Sequence, residues 1–391
     1  MTAAPDTLAG TLALQPGRQP PNIRSNRPLL APRLARGVAA DELPDRLARV
    51  YALCGGAHRV AARLALAAAA GRALPDAPAT AHALRADTLR EHLRRIVLDW
   101  PAPLAGEAPA AEELQALRAC PAGAAQGPVS AHAGPTLGDW IERELLGEDA
   151  AGWLAAWDRD PDAALADWAG RARTPTARRL RACRDAARAI VQPVRRLALA
   201  GNADALAAIA AALRTDARFA LAPRMPAAPP APGHRAPPEA FETGCWARAA
   251  DPAPERHAHA WLRLGARLAE AVRLALPPAA GDDARALRFG ALALGPDGRP
   301  VAPGAAGGEG IGWCEMARGL LLHRVRLGVE GDVDRVAECD VLAPTEWHFH
   351  PQGPVAEALA RLPRRHGEAA AGLLAAAFDP CVAVRVEAGD A

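Results

Sequence analysis

A mainly α-helical body with small β-hairpin elements in its C-terminal half is the fold class that this sequence predicts. Three observations lead to it. Half of the 391 residues are hydrophobic but only 4% are aromatic, so the core is built from Ala, Leu and Val, the first two strong helix formers. Stretches with helical composition and spacing follow one another from Ala57 to Ile209 and again from Trp261 to Arg273. Strand-like alternation is confined to the region after Leu287. A chain of this length can bury a large core, and residues 1–391 are read as a single domain with an N-terminal arm (1–45) and a Pro-rich linker or loop (222–238).

In chain order, residues 1–45 are rich in Pro, Gly and Arg without steady periodicity, and no chemistry is assigned to them. The segment Arg49-Val50-Tyr51-Ala52-Leu53-Cys54-Gly55-Gly56-Ala57-His58 leads into a helix expected over 57–74. Gly55 and Gly56 suit a tight approach to it. Cys54 at the positive end of that helix is expected to have a lowered thiol pKa. A second helix is expected from His82 to Trp100, ended by Pro101. Further helices fill 139–209, where Trp153 and Trp157, one turn apart, and Trp168 read as core packing. The 222–238 stretch can form neither helix nor central strand, and His234 within it should be solvated.

Phe241-Glu242-Thr243-Gly244-Cys245-Trp246-Ala247-Arg248 precedes an amphipathic helix. It sets Trp261, Leu264, Leu268 and Val272 on one face and Arg263, Arg267, Glu270 and Arg273 largely on the other, and ends at Pro277 and Pro278. Leu287 to Leu294, the turn Pro296-Asp297-Gly298 and Pro300 to Pro303 read as a hairpin. The glycine-rich run 307–312 follows no convincing strand and opens no helix, so it is not a nucleotide-binding loop. Alternation at Leu321, His323, Val325 and Leu327 argues a strand, turned back at Gly331-Asp332. The final stretch, Phe378-Asp379-Pro380-Cys381-Val382-Ala383-Val384-Arg385-Val386, holds a cysteine on a proline-fixed bend before a β-prone run.

Bulk properties remove several function classes. The net charge of +2 gives no basic field for nucleic acid or anionic lipid, and with every basic residue an arginine there is no phosphate-loop, Schiff-base or kinase-type lysine. The longest apolar stretch is too short to span a bilayer, so no membrane insertion is expected. Met1 to Pro20 shows no secretory pattern, which leads to the expectation of a cytoplasmic protein. Seven dispersed cysteines then read as free thiols or metal ligands.

The two cysteine segments together resemble the metal-binding ends of the nickel-iron hydrogenase large subunit. That family carries Arg-x-Cys-Gly-x-Cys-x-x-x-His near its N-terminus and Asp-Pro-Cys-x-x-Cys near its C-terminus. Arg49, Cys54 and His58 match the first motif, and Asp379, Pro380 and Cys381 the second. Tyr51 and Val384 stand where each motif has its other cysteine. Glu242-Thr243-Gly244, Glu315-Met316-Ala317-Arg318-Gly319 with Leu320 and His323, Ala343-Pro344-Thr345, and Gly353 to Leu359 resemble further family blocks in the family's order. The resemblance implies a large-subunit-like helical fold.

It also implies a site. Cys54 and Cys381 would be the surviving metal ligands, Arg318 and Thr345 would hydrogen-bond cyanide ligands of an iron, and His58 and Glu315 would stand as outer partners. Tyr51 and Val384 mark vacated nickel-ligand positions, so nickel is not expected and an active hydrogenase is disfavoured. Two thiolates suffice to hold a preformed Fe(CN)2CO unit that brings most of its own ligands. In this the chain resembles the hydrogenase expression/formation proteins of the HupK/HoxV type, relatives of the large subunit. The function implied is a scaffold holding the Fe(CN)2CO fragment, with the large-subunit precursor and the maturation proteins that deliver the fragment as partners. The alternative is a degenerate homologue acting as an interaction or structural subunit. A second metal site at His348 and His350, with Cys339 or Cys314, is also to be considered.

Overall fold

A computed structural model describes residues 9–123, 136–191, 202–225, 240–248, 258–277, 287–302, 304–330 and 333–387. Most of the Pro-rich stretch, with His234, and the turn residues Gly331 and Asp332 lie outside the described residues.

The first long helix, α1 (Gly55–Ala69), starts at the paired glycines, where Gly56 packs against the side chain of Asp87. The next, α2 (Ala77–Arg94), begins earlier than its apolar pattern suggests because Asp76 caps it, its carboxylate accepting from the Ala79 N–H at 2.9 Å. The helical path continues through a π-turn at Arg95–Asp99. Pro101 does not end it but opens a short helix, Pro101–Ala105, at a position where its missing N–H costs nothing.

In the middle of the chain α3 (Ala150–Arg159), α4 (Pro161–Arg171) and α5 (Pro175–Arg188) stack against one another. Trp153 and Trp157 are stacked at 5.9 Å, and Trp168 meets Trp153 edge-on at 5.7 Å. These indoles are core packing, as their one-turn spacing suggests.

The centre of the helical body is α6 (Ala260–Ala275), which packs against α2, α3, α4, α5 and the later α8 (Glu368–Phe378). Its apolar face, Trp261, Leu264, Leu268 and Val272, is fully buried, as its period requires. Its polar face is not solvated. Arg263 and Arg267 are buried too, Arg263 in a two-pronged pair with Glu242 at 2.8 and 2.6 Å, while Glu270 holds Arg248 at 2.8 and 2.6 Å and His92 at 2.6 Å. Side-chain period separates apolar from polar positions, but it does not say whether the polar stripe meets water or complementary charges.

The β-structure exceeds the small hairpins expected. Strands β1 (Thr11–Leu14) and β2 (Ile23–Ser25) form a three-stranded sheet, order β2-β1-β7, with β7 (Ala383–Val386). The β1/β7 pairing is parallel and sets Leu12 opposite Val384, joining segments far apart in the chain. A second sheet runs β3 (Phe289–Leu294), β4 (Glu309–Met316), β5 (Gly319–Glu330), β6 (Val333–Leu342), antiparallel throughout.

The expected hairpin after β3 is reduced to one bridge, Leu294 to Pro300, because β3 pairs instead with β4, into which the glycine-rich run leads. All eight β4 residues are buried beneath α1. Glycine within a strand marks a close backbone approach, and a carbon added at Gly312 would overlap the Ala61 carbonyl of α1. Gly312→Val is therefore expected to cost about 2 to 3 kcal/mol by forcing helix and sheet apart. Denaturant titration would check this, and an unchanged midpoint would contradict the packing.

Candidate functional site

Four chain segments converge between the β3–β6 sheet and the helical body. Tyr51 follows the helix Leu43–Val50, Cys54 ends a 3-10 turn (Ala52–Cys54) and directly precedes α1, and His58 lies in α1's first turn. Arg318 occupies the tight turn between β4 and β5. Thr345 begins α7 (Pro344–His348), and Cys381 lies between α8 and β7. All six line one cavity of about 250 Å3, together with Arg27 and Glu346. That is more than tenfold the roughly 10–15 Å3 a single water needs. Sequence reasoning did not find Arg27 or Glu346. Nothing local marks an arginine in an irregular N-terminal stretch, whereas Glu346 could have been noticed as the immediate neighbour of Thr345.

Cys381 is the better-furnished thiol. The Thr345 hydroxyl lies 3.2 Å from its sulfur and accepts from its backbone N–H at 3.2 Å, and Arg27 Nη1 donates to the sulfur at 2.9 Å. Arg27 Nε pairs with Glu346 at 3.0 Å. Burial works against the charge on Arg27, but Glu346 and Cys381 outweigh it and raise its pKa. Burial likewise pushes the Glu346 carboxyl up, against the pull of Arg27.

Two residues earlier, Asp379 closes α8 in the left-handed region, φ 50° and ψ 70°. Pro380 keeps it out of the right-handed α region, as expected, but the extended form gives way to one that turns the carboxylate inward. There it meets Arg95, Arg267 at 3.1 Å and Arg318 at 3.4 Å. Arg318 is 2% exposed and also approaches Glu91 at 3.0 Å, yet none of its three nitrogens makes a hydrogen bond of good geometry. Its turn is held by Gly319 at φ 137°, where a side chain would run into Thr243, and by the Leu320 N–H donating to the Thr243 hydroxyl at 3.2 Å. The Glu-Thr-Gly and Met-Ala-Arg-Gly segments, distant in sequence, thus interlock to aim one guanidinium.

The expectation of a lowered Cys54 pKa does not hold. Burial pushes its thiol up to about 12, with Arg318 and Arg27 pulling down and Cys381 and Glu91 pushing up. Desolvation outweighs the helix end, so the free protein holds this thiol protonated and a metal that binds it must displace a proton. Tyr51 stacks flat on His58, ring centroids 4.1 Å apart, and His58 Nδ1 meets His323 Nε2 at 2.9 Å. Burial depresses both imidazoles, His58 well below its ordinary value and His323 to about 3, so the pair is neutral.

Several expected positions do not reach the cavity. Glu315 alternates with Cys314 and Met316 on β4 and turns away to Arg288, whose backbone N–H it accepts at 3.0 Å. Val384 sits inside β7 opposite Leu12 and packs against the main core; of the two positions expected as vacated nickel-ligand sites, Tyr51 alone lines the cavity. His348 and His350 do not gather with Cys339 or Cys314. The 344–348 segment is helical, so His348 turns to the Thr243 N–H at 3.1 Å while His350 faces Arg224 at 3.4 Å. Cys314 and Cys339 are core residues on β4 and β6. Among the described residues no group of three or more His, Cys, Asp or Glu is placed to hold a metal ion.

No family model matches the chain. Among solved structures, the Ni-Fe-Se hydrogenase of D. vulgaris Hildenborough aligns over 89% of this chain and 90% of its own with a TM-score of 0.48 and 17% identity. An NAD+-reducing NiFe hydrogenase aligns over 88% of both chains with a TM-score of 0.48 and 15% identity. The sequence is 34% identical to the hydrogenase expression/formation protein HupK of Rhizobium leguminosarum bv. viciae, over 94% of this chain and 93% of that protein. It is 39% identical to the hydrogenase expression/formation protein HoxV of Cupriavidus necator, over 97% of this chain and 96% of that protein. On that similarity along nearly its whole length, the chain belongs to the HoxV/HupK family of hydrogenase expression/formation proteins.

Proposed function

We propose that the cavity between Cys54 and Cys381 holds an Fe(CN)2CO fragment as cargo during hydrogenase maturation and passes it to the precursor of the large subunit. The observation that carries this reading is the meeting of two thiols with a buried guanidinium that has no good hydrogen bond of its own. A low-spin iron with diatomic ligands wants soft thiolates, and its cyanide nitrogens want donors in a dry pocket. Arg318 is such a donor, and a charge-assisted bond from it is worth about 1.5–3 kcal/mol. Thr345 anchors Cys381 and offers a hydroxyl.

Ligand number sets the direction of transfer. Two thiolates hold the fragment less firmly than a completed four-thiolate nickel-iron site, so delivery runs downhill. Nickel is not part of the cargo, and the protein is not itself a hydrogenase. Its partners are the large-subunit precursor and the maturation proteins that bring the fragment, in the cytoplasm. Among the described residues no helix is long and apolar enough to cross a membrane, and the near-neutral charge offers nothing to nucleic acid.

The test is iron content and infrared spectroscopy on protein produced together with the maturation proteins and purified without oxygen. Cyanide and carbonyl stretching bands are expected, with the cyanide bands shifted and weakened in Arg318→Leu. Protein that carries no bands yet remains necessary for hydrogenase formation would act through its surface, as a degenerate large-subunit homologue.

A further inference from the structure

The N-terminal segment, to which composition assigns no chemistry, supplies a cation to the Cys381 sulfur. Arg27 lies two residues after β2 and Cys381 two residues before β7, and both strands flank β1 in one sheet. That sheet is what brings them together. The backbone at Arg27 is seated over Gly10, and the neighbouring Asn26 side chain accepts from the Thr11 N–H at 2.5 Å. The guanidinium is gripped at two atoms, by Cys381 Sγ at 2.9 Å and by Glu346 at 3.0 Å, and the Arg27 and Glu346 side chains are only 11% and 9% exposed. The wall of the two-thiol cavity thus holds a fixed, buried ion pair whose guanidinium end, Nη1, is turned to the Cys381 sulfur.

A two-thiol cavity has a selectivity problem. Free nickel, copper and zinc all outrank ferrous iron for soft sulfur ligands, so ligand type alone would fill the site with the wrong metal. Charge separates the candidates. A bare divalent cation on the Cys381 sulfur faces the Arg27 Nη1 that already donates to it, a like charge that Glu346, bound at Nε, offsets only in part in a medium that screens poorly. An iron whose two cyanides neutralise it brings no such repulsion, and its cyanide nitrogens accept hydrogen bonds from guanidinium groups. We infer that Arg27 is the specificity-determining residue of the cavity, excluding free divalent transition metals while admitting the anion-bearing iron fragment. The second half of this rests on the proposed cargo; the first half does not.

The test needs no maturation machinery. Metal-free full-length protein is titrated anaerobically with Ni(II), read by thiolate-to-nickel charge-transfer absorption and by competition with a chromophoric chelator. Arg27→Gln and Arg27→Leu are each expected to bind nickel at least tenfold more tightly than the unmodified chain. Arg27→Lys, which keeps the charge, should stay within a few-fold of it, and the gain should vanish in Arg27→Gln combined with Cys381→Ala. If circular dichroism shows that one neutral variant is unfolded, the other carries the comparison. Nickel affinity unchanged or lowered by neutralising Arg27 overturns the inference, and so does tight stoichiometric nickel binding by the unmodified protein, whatever the variants do. Missing cyanide bands in the co-produced protein would remove the cargo while leaving the exclusion of free cations standing, so the two failures can be told apart.

Discussion

Cells carrying Cys54→Ala or Cys381→Ala in this protein are expected to lose hydrogenase activity to the level of cells lacking it. On the proposed cargo reading, each thiol supplies half of the protein ligands to the iron. With one gone, the fragment is held by a single sulfur and a few hydrogen bonds, and exchange with solvent outcompetes delivery. Cys120→Ala and Cys183→Ala provide the controls. Both residues are buried in the helical core, 4% and 3% exposed, away from the cavity. Their truncation removes one sulfur's worth of packing, a modest loss of stability, and should leave maturation intact. Infrared bands should disappear together with activity in the first pair and persist in the second. Normal maturation by both cavity variants would sink the cargo reading.

The second large effect is on stability. Glu270 projects from α6 into the protein interior, where it binds Arg248 through both oxygens and His92 through one. Arg248 also donates to the Met316 carbonyl at 3.1 Å, two residues before Arg318, which ties this pair to the floor of the site. Glu270→Ala leaves a buried guanidinium without its counter-ion and is expected to cost roughly 3–5 kcal/mol, measured by denaturant titration.

The same group sets an acid limit. Burial opposes ionisation of Glu270, but Arg248 and His92 win and hold its pKa at about 2, below the ordinary 4.5. A depressed carboxylate contributes stability above its unfolded pKa and loses it as the pH falls through the folded one. On the order of 3 kcal/mol should therefore disappear between about pH 4.5 and 2. His92 adds a loss in the same direction. Burial lowers its pKa despite Glu270, so the unfolded chain takes up that proton first as pH falls below about 6.5. Glu270→Ala should flatten the acid limb of the stability profile, and an unchanged limb would show that other carboxylates set it.

How far sequence carries in this protein can be seen residue by residue. The helices at Ala57, Trp153 and Trp261 were legible because side-chain period and alanine-leucine content are local properties. The pairing of Cys54 with Cys381, Arg318 and Thr345 was legible only through motif order, since no spacing rule relates residues so far apart in the chain.

Tertiary structure alone decided the rest. Glycines 310 and 312 hide a buried strand, because what they satisfy is the approach of α1 and not a strand propensity. The polar face of α6 became an interior ion-pair layer because Glu242 and Asp379 arrive from other segments. Val384 was carried away from the cavity by the pairing of β7 with β1. The same sheet, with β2 on the other side of β1, delivered Arg27 to the thiol. Composition and period report what a segment prefers by itself, whereas which charges and thiols meet depends on which distant strands pair, and that is settled by the packing of the whole chain.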